Sequence, residues 1–363
     1  MERPLVSVVV PVYRVEDYVE ACARSLLAQT YPSIEFIFVD DGSPDRSVQV
    51  IRRVLEAYPD RDCRIVSKEN EGQALARKYG ISLAKGDYIL QVDSDDYIEP
   101  DTVEKLVTTA QQENADLVVF DVVKEFGGGR SRVCSDKDSS FVSPARFMKD
   151  LYTYKAHGYV VNKFCARTLC ENLFYPRYSM HEDIIFCTQV VHRARKMVHL
   201  KEPLYHYVRT RGAASTRVPK KTRRSYSARN MMDTYGFFHG KDDSPVRNLE
   251  DELVLRAAWT GFTLDRSLFR DYPRLRELAL GFRPACGRHV SLPAQLLLRC
   301  YLKLFRPCRS LSISTSSITT SCPGSWTGSG IWTDSTGTWS SPAARRMPPR
   351  RAPSRLSSRT CAC

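Results

Sequence analysis

The first hundred residues alternate four times between apolar, β-branched runs and stretches with helical spacing, and that alternation restricts the fold more than any other feature. Val-Ser-Val-Val-Val-Pro-Val-Tyr over residues 6–13 reads as a strand buried on both faces and ended by Pro11. Residues 16–29 carry Tyr18, Val19, Cys22, Leu26 and Leu27 at helical spacing, and Glu-Phe-Ile-Phe-Val at 35–39 is the next strand. Residues 46–57 are helical, 63–67 form a short strand, 73–84 a third helix, and a fourth strand begins at Asp87. Parallel neighbours need a right-handed helical crossover, so the expected fold is α/β: a mostly parallel sheet flanked by helices.

In such sheets ligands sit at the carboxyl ends of the strands. Three strands end in unusual chemistry on that edge: Pro11-Val12-Tyr13, Asp40-Asp41-Gly42 and Asp93-Ser94-Asp95-Asp96. Carboxylates are costly to bury unpaired, so an apolar run that stops in three of them faces solvent or a cation. Side chains two apart on an extended chain share a side, so Asp93 and Asp95 can meet one hard cation, Mg²⁺ or Mn²⁺, completed by substrate phosphates. A solvated acidic turn is the plainer alternative, and the position on the ligand edge argues against it. Glu69 to Gln73 leads into a helix bearing Arg77 and Lys78, where dipole and cation suit a phosphate; an ordinary helix with a basic face is the alternative. No G-x-G-x-x-G follows the first strand and no P-loop motif occurs, which disfavours a dinucleotide dehydrogenase and a P-loop nucleoside triphosphatase.

Later in the chain, residues 101–114 read as a helix, 115–123 as a strand, and Gly127-Gly128-Gly129 as a turn. A helical piece near 144–152 precedes Asn162-Lys-Phe-Cys-Ala-Arg167. Met180-His-Glu-Asp-Ile-Ile-Phe186 opens an amphipathic helix, in which Glu182 and Asp183 read, on their own, as first-turn acids favoured by the dipole. His181 and His206 read as packing residues. Leu-Tyr-His-Tyr-Val at 204–208 is a short strand, and Arg209, Arg211 and Gly212 after it form a basic stretch suited to closing over a phosphate. Residues 220–307 are helical in pattern. Residues 291–305 join an apolar face to Arg299 and Lys303, with Arg306 beyond, as an interfacial helix on anionic lipid or a core helix with a basic edge would. After Arg309, Ser and Thr dominate, Asp334 is the only acid, and Trp326, Trp332 and Trp339 fall within a segment without periodicity. The expectation there is a disordered tail, with the composition of a segment translated out of its original frame.

At 363 residues, 42% hydrophobic and 26% charged, the composition is that of a globular protein with room for a full core. Without a long uncharged apolar run or a leader pattern at Met1, the expected location is cytoplasmic, with peripheral contact at the membrane face as a further option. Twelve scattered cysteines without a CxxC pair read as reduced structural thiols. The net charge of +13 suits an anionic partner, although much of it lies late in the chain.

Six motifs in order, the 6–13 run, Val39-Asp-Asp-Gly-Ser43, Asn70-Glu-Gly72 with Ala76-Arg77, Gly86-Asp-Tyr-Ile89, Asp93-Ser-Asp-Asp96 and Glu182-Asp183, resemble a family 2 glycosyltransferase over residues 5–210. The resemblance implies a GT-A, Rossmann-like fold and inverting transfer of a sugar from a nucleotide donor, usually a UDP-sugar, to an acceptor hydroxyl. It implies a base site at Pro11, Val12, Tyr13 and Asp40, with Asp40 accepting from the uracil. It places Arg77 near the nucleotide, Asp93 at the ribose with Ser94 beside it, Asp95 on a bridging Mn²⁺ or Mg²⁺, and Asp183 as catalytic base. The acceptor implied is a bacterial surface polysaccharide or lipid-linked oligosaccharide. The domains expected are 1–215 for transfer (nucleotide half 1–123, acceptor half 124–215), 216–308 helical, and 309–363 tail. A nucleotidyltransferase would place a Gly-rich cationic loop where Pro11-Val-Tyr-Arg14 stands. A nucleic-acid-binding protein would interleave its basic residues with aromatics, which the tail does not.

Overall fold

The computed structural model describes residues 3–304 apart from 127, 154, 179, 181, 210–217, 243, 248 and 283–289. Expectations for His181, Arg211, Gly212, Arg306 and the tail after Arg309 therefore lie outside the described residues.

Strands β1 (Val6–Val12), β2 (Ile34–Asp40), β3 (Asp62–Ser67) and β4 (Tyr88–Gln91) pair in parallel in the order β3-β2-β1-β4. Helices α1 (Val19–Leu27), α2 (Ser47–Leu55) and α3 (Gln73–Leu83) make the crossovers. Every residue of β1 is buried because both faces are covered. Alternate side chains leave on opposite faces. Val8, Val10 and Val12 enter a core with Leu26, Ile51 and Leu106, whereas Val9 enters another with Phe147, Phe186 and Val190. Pro11 does not end β1; it pairs with Val39 one residue before the strand's last member. At Gly80 in α3 a Cβ would lie 2.4 Å from Val9 Cγ1, so the helix owes its close approach to the sheet to glycine.

The rest of the sheet is mixed. After the two-residue β5 (Tyr97–Ile98) and α4 (Thr102–Gln112) comes β6 (Leu117–Phe126), which turns through Gly128 and Gly129, both at positive φ, into β7 (Arg130–Cys134). Helix α5 (Pro144–Tyr152) leads to β8 (Lys163–Ala166), which pairs antiparallel with both β4 and β6. Helix α6 (Glu182–Arg193) leads to β9 (Met197–Val208), parallel to β6 and antiparallel to β5. The parallel half thus meets expectation, and β8 is what joins it to the later strands.

Beyond the sheet, α7 (Lys220–Phe238), α8 (Glu250–Thr263), α9 (Ser267–Asp271), α10 (Leu275–Gly281) and α11 (Leu292–Leu304) form the helical pattern expected there, around their own apolar cluster. Leu298 and Leu302 of α11 face that cluster, while Leu296 and Leu297 are exposed. The described cysteines are unbridged. No described helix is long and apolar enough to cross a membrane.

Candidate active site

The carboxyl ends of β1, β2 and β4 supply the floor. Val12 lies in register with Asp40, and Asp41 donates its N–H to Val12 O at 3.0 Å. Pro11 and Val12 are buried within the sheet, and Tyr13 is the first residue to surface. Arg14 then turns with φ 56°, donates its N–H to Ser43 Oγ and lays its guanidinium over the Tyr13 ring. Asp40, partly exposed, accepts the Ser43 N–H at 2.8 Å.

Asp41, missed as a functional residue in the sequence, is buried and accepts from Lys68 Nζ at 3.0 Å, Glu71 N at 3.1 Å and Gly72 N at 2.8 Å. Those bonds fasten residues 68–72 to the end of β2. Gly72, at φ 97°, then starts α3 without a side-chain cap. The position of Arg77 therefore depends on Asp41.

The three carboxylates after β4 are sorted by their partners. Asp93 Oδ1 accepts from Arg77 Nη2 at 2.5 Å and Gln73 Nε2 at 2.6 Å. Asp96 turns inward, accepting from Tyr205 Oη at 2.6 Å and Val208 N at 2.8 Å. The same Tyr205 oxygen accepts the Asp93 N–H at 3.1 Å. Burial, and then the charges of Asp93 and Asp95, push the Asp96 carboxyl up to about 9. Ser94 is buried and Asp95 partly exposed. Among the described residues no three His, Cys, Asp or Glu side chains form a ready cation cage. A hard cation that takes one carboxylate and completes its shell from a diphosphate fits a turn that carries Asp93, Asp95 and Asp96.

The start of α6 brings two further acids within the electrostatic reach of Arg77. Burial pushes Asp183 up to about 6, with Arg77 opposing, Asp93 adding and Lys163 opposing. Burial and the adjacent Asp183 push Glu182 up to about 8. Arg77, itself buried, is raised in spite of desolvation by Asp93, then Asp183. Arg77 thus pairs directly with Asp93 at the end of β4, and its charge also acts on Asp183 from the later half of the chain. Its Nη1 lies 3.4 Å from Gln91 Oε1; Arg77 Nε, Gln91 Nε2 and Tyr175 Oη are buried with no partner among the described residues. Gln91 was legible as a polar residue inside an apolar strand. Tyr205 and the fully buried Lys163, whose Nζ reaches Tyr159 O and Asn162 Oδ1, carried no sequence signal.

His206 stacks on Tyr97 at 4.3 Å, its ring nitrogens 2.7 Å from Glu99 Oε1 and 2.9 Å from Glu125 Oε1, so it braces β5 beside the acidic turn rather than lining the floor.

Residues 7–173 match the profile described as glycosyl transferase family 2, which stops short of Glu182 and Asp183. The chain is 35% identical over 214 residues to a putative glycosyltransferase, EpsH, of Bacillus subtilis (strain 168), covering 57% of this chain and 61% of that one. It is 34% identical over 227 residues to the uncharacterized glycosyltransferase EpsJ of the same strain, covering 60% and 64%. The matches therefore span less than two thirds of these relatives' own length. In fold it resembles S. aureus TarS 1–349 in complex with UDP-GlcNAc, with a TM-score of 0.53 at 19% identity over 76% of this chain and 80% of that one. It also resembles the mannosyltransferase PcManGT from Pyrobaculum calidifontis in complex with GDP-Man and Mn²⁺, with a TM-score of 0.50 at 20% identity over 85% and 82%.

Proposed function

From the premise that this chain belongs, through residues 7–173, to the family 2 glycosyltransferases, we propose that it moves a sugar from a nucleotide-diphosphate donor, UDP-linked, to an acceptor hydroxyl with inversion at the anomeric carbon. The observation that carries the reading is the grouping of Tyr13, Asp40 and the Arg77–Asp93 pair at the carboxyl ends of β1, β2 and β4, with the Arg77 charge also acting on Asp183. Solved relatives in fold hold UDP-GlcNAc in one case and GDP-Man with Mn²⁺ in another, which supports a nucleotide-sugar donor.

In this reading Tyr13 and Asp40 hold the base at the ends of β1 and β2, Pro11 and Val12 shaping the backbone beneath it. Asp93, with Ser94 beside it, accepts from the ribose, oriented by Arg77 and Gln73. Asp95 holds Mn²⁺ or Mg²⁺, which when bound supplies positive charge against the diphosphate leaving group. Asp183 accepts the acceptor's hydroxyl proton as that oxygen bonds to the anomeric carbon; the bond from that carbon to the nucleotide's phosphate oxygen breaks on the opposite face, and the nucleoside diphosphate leaves with its electron pair. A carboxyl held near 6 is ionised at neutral pH yet basic enough to take that proton.

We assign residues 1–215 to transfer and 216–308 to an accessory helical region. The acceptor class is a polysaccharide or lipid-linked oligosaccharide presented at the cytoplasmic face of a membrane. The exposed Leu296 and Leu297 beside Lys303 on α11 support peripheral contact there. The test is a panel of nucleotide sugars with Mn²⁺, scoring sugar transfer and nucleoside diphosphate release in wild type and Asp183→Asn. The variant is expected to bind UDP and lose transfer; retained turnover would move the base elsewhere.

A further inference from the structure

The candidate base is delivered by the irregular segment between β8 and α6, and two buried amides grip it. Gln189 of α6 accepts the Phe174 N–H at 2.8 Å and donates Nε2 to Phe174 O at 2.9 Å. The second grip comes from the helices beyond the sheet. Asn230 of α7, 0% exposed, accepts the Tyr178 N–H on Oδ1 at 3.1 Å and donates Nδ2 to Tyr178 O at 2.6 Å and Met180 O at 2.5 Å. One side chain thereby satisfies three backbone groups, the last only two residues before Glu182. The stack of Tyr178 on Tyr226, rings 4.9 Å apart, makes a second contact between this segment and α7. An amide has both the acceptor and the two donors this requires; a carboxylate lacks the donors and an aliphatic chain lacks both.

We infer that Asn230 is a positioning residue for transfer, fixing the start of α6 and with it the Asp183 carboxyl; the inference rests on the reading of Asp183 as base. The accessory helices then take part in the reaction through α7, and the nucleotide half should not sense the loss of the clamp.

The full chain is compared as wild type, Asn230→Leu, the near-isosteric Asn230→Asp, and Leu298→Ala. The last removes a buried side chain from the same helical cluster, on a helix that packs against α8 and α10. Hydrogen exchange over residues 178–186, UDP binding with Mn²⁺ and steady-state transfer are measured on each. For both Asn230 variants faster exchange over 178–186, unchanged UDP affinity and donor KM, and a kcat at least about 10-fold lower are expected, the scale of loss a displaced catalytic group produces. Leu298→Ala is expected to melt earlier but keep its kcat. The inference is overturned if exchange is unaltered, if kcat survives in the Asn230 variants, or if Leu298→Ala loses kcat equally, which would make the effect general instability. A loosened segment in the Asn230 variants together with undiminished transfer by Asp183→Asn would leave the clamp standing and sink the base assignment instead.

Discussion

Arg77 Nη2 sits 2.5 Å from Asp93 Oδ1, and the same buried cation acts on Asp183, so one side chain of α3 bears on carboxylates from both halves of the chain. Arg77→Met leaves Asp93, one-fifth exposed, without its charge partner. The expected loss is about 3 kcal/mol of stability, the lower end for breaking a buried pair, together with weaker donor binding. Arg77→Lys should not restore it, because one ammonium cannot reach Asp93 and Gln91 as the planar fork does. Denaturant unfolding and UDP titration of both variants check this; wild-type stability in Arg77→Met would remove the pair from the argument.

The base assignment carries a signed pH dependence. Asp183, raised to about 6, works only when deprotonated, so kcat/KM should level off above that pH and fall tenfold per unit below it. Transfer rates from pH 5 to 8 at saturating cation provide the measurement. A profile that stays flat through 6 would contradict Asp183 as the proton acceptor.

Much of this was legible in the sequence for a simple physical reason. A strand buried on both faces must be apolar at nearly every position, so β1, β2 and β4 announced themselves despite the buried Ser7, Glu35 and Gln91, and with them the edge where Tyr13, Asp40 and Asp93 surface. The division of labour among Asp93, Asp95 and Asp96 was not legible, because Tyr205 and Val208, more than a hundred residues away in the chain, decide which acid turns inward. Strand β9 is half-exposed along most of its length, so only its last residues, from Leu204, gave a strand signal. The antiparallel β8 and the Asn230 clamp are products of tertiary contact alone. Asp41 stood in a motif that was recognised, yet its neighbour Asp40 drew the assignment.

The acidic turn hangs on Tyr205. Its hydroxyl accepts the Asp93 N–H and donates to Asp96, so Tyr205→Phe strips both while keeping the ring in the core. Leaving two buried polar groups short of a partner is expected to cost about 1–3 kcal/mol and to weaken cation-dependent UDP binding, through Asp95's place in the same turn. Thermal unfolding with calorimetric UDP titration tests this. Unchanged binding would mean that the turn holds its shape without the hydroxyl.

If Asp95 is the protein's cation ligand, UDP affinity should rise with Mn²⁺ in wild type, and Asp95→Asn should lose most of that increment while its affinity in EDTA stays at the wild-type level. An equal Mn²⁺ effect in both proteins would place the cation on the nucleotide alone.

Function and stability should oppose each other at Asp183. Its carboxyl rises from an unfolded value near 3.9 to about 6 when folded. The folded chain therefore holds that proton more tightly, and the associated stability, present at low pH, is lost as pH climbs through about 6. At pH 8 the ionised side chain is a burden on the order of 1–3 kcal/mol after allowing for its residual solvent contact, and an amide of the same shape does not carry it. Asp183→Asn should accordingly melt higher than wild type at pH 8, with the gap closing as pH falls towards 4, while transfer is lost at every pH. Parallel melting curves across that range decide the matter. A variant that is inactive and also less stable at pH 8 would show that the carboxylate holds the fold rather than the reaction.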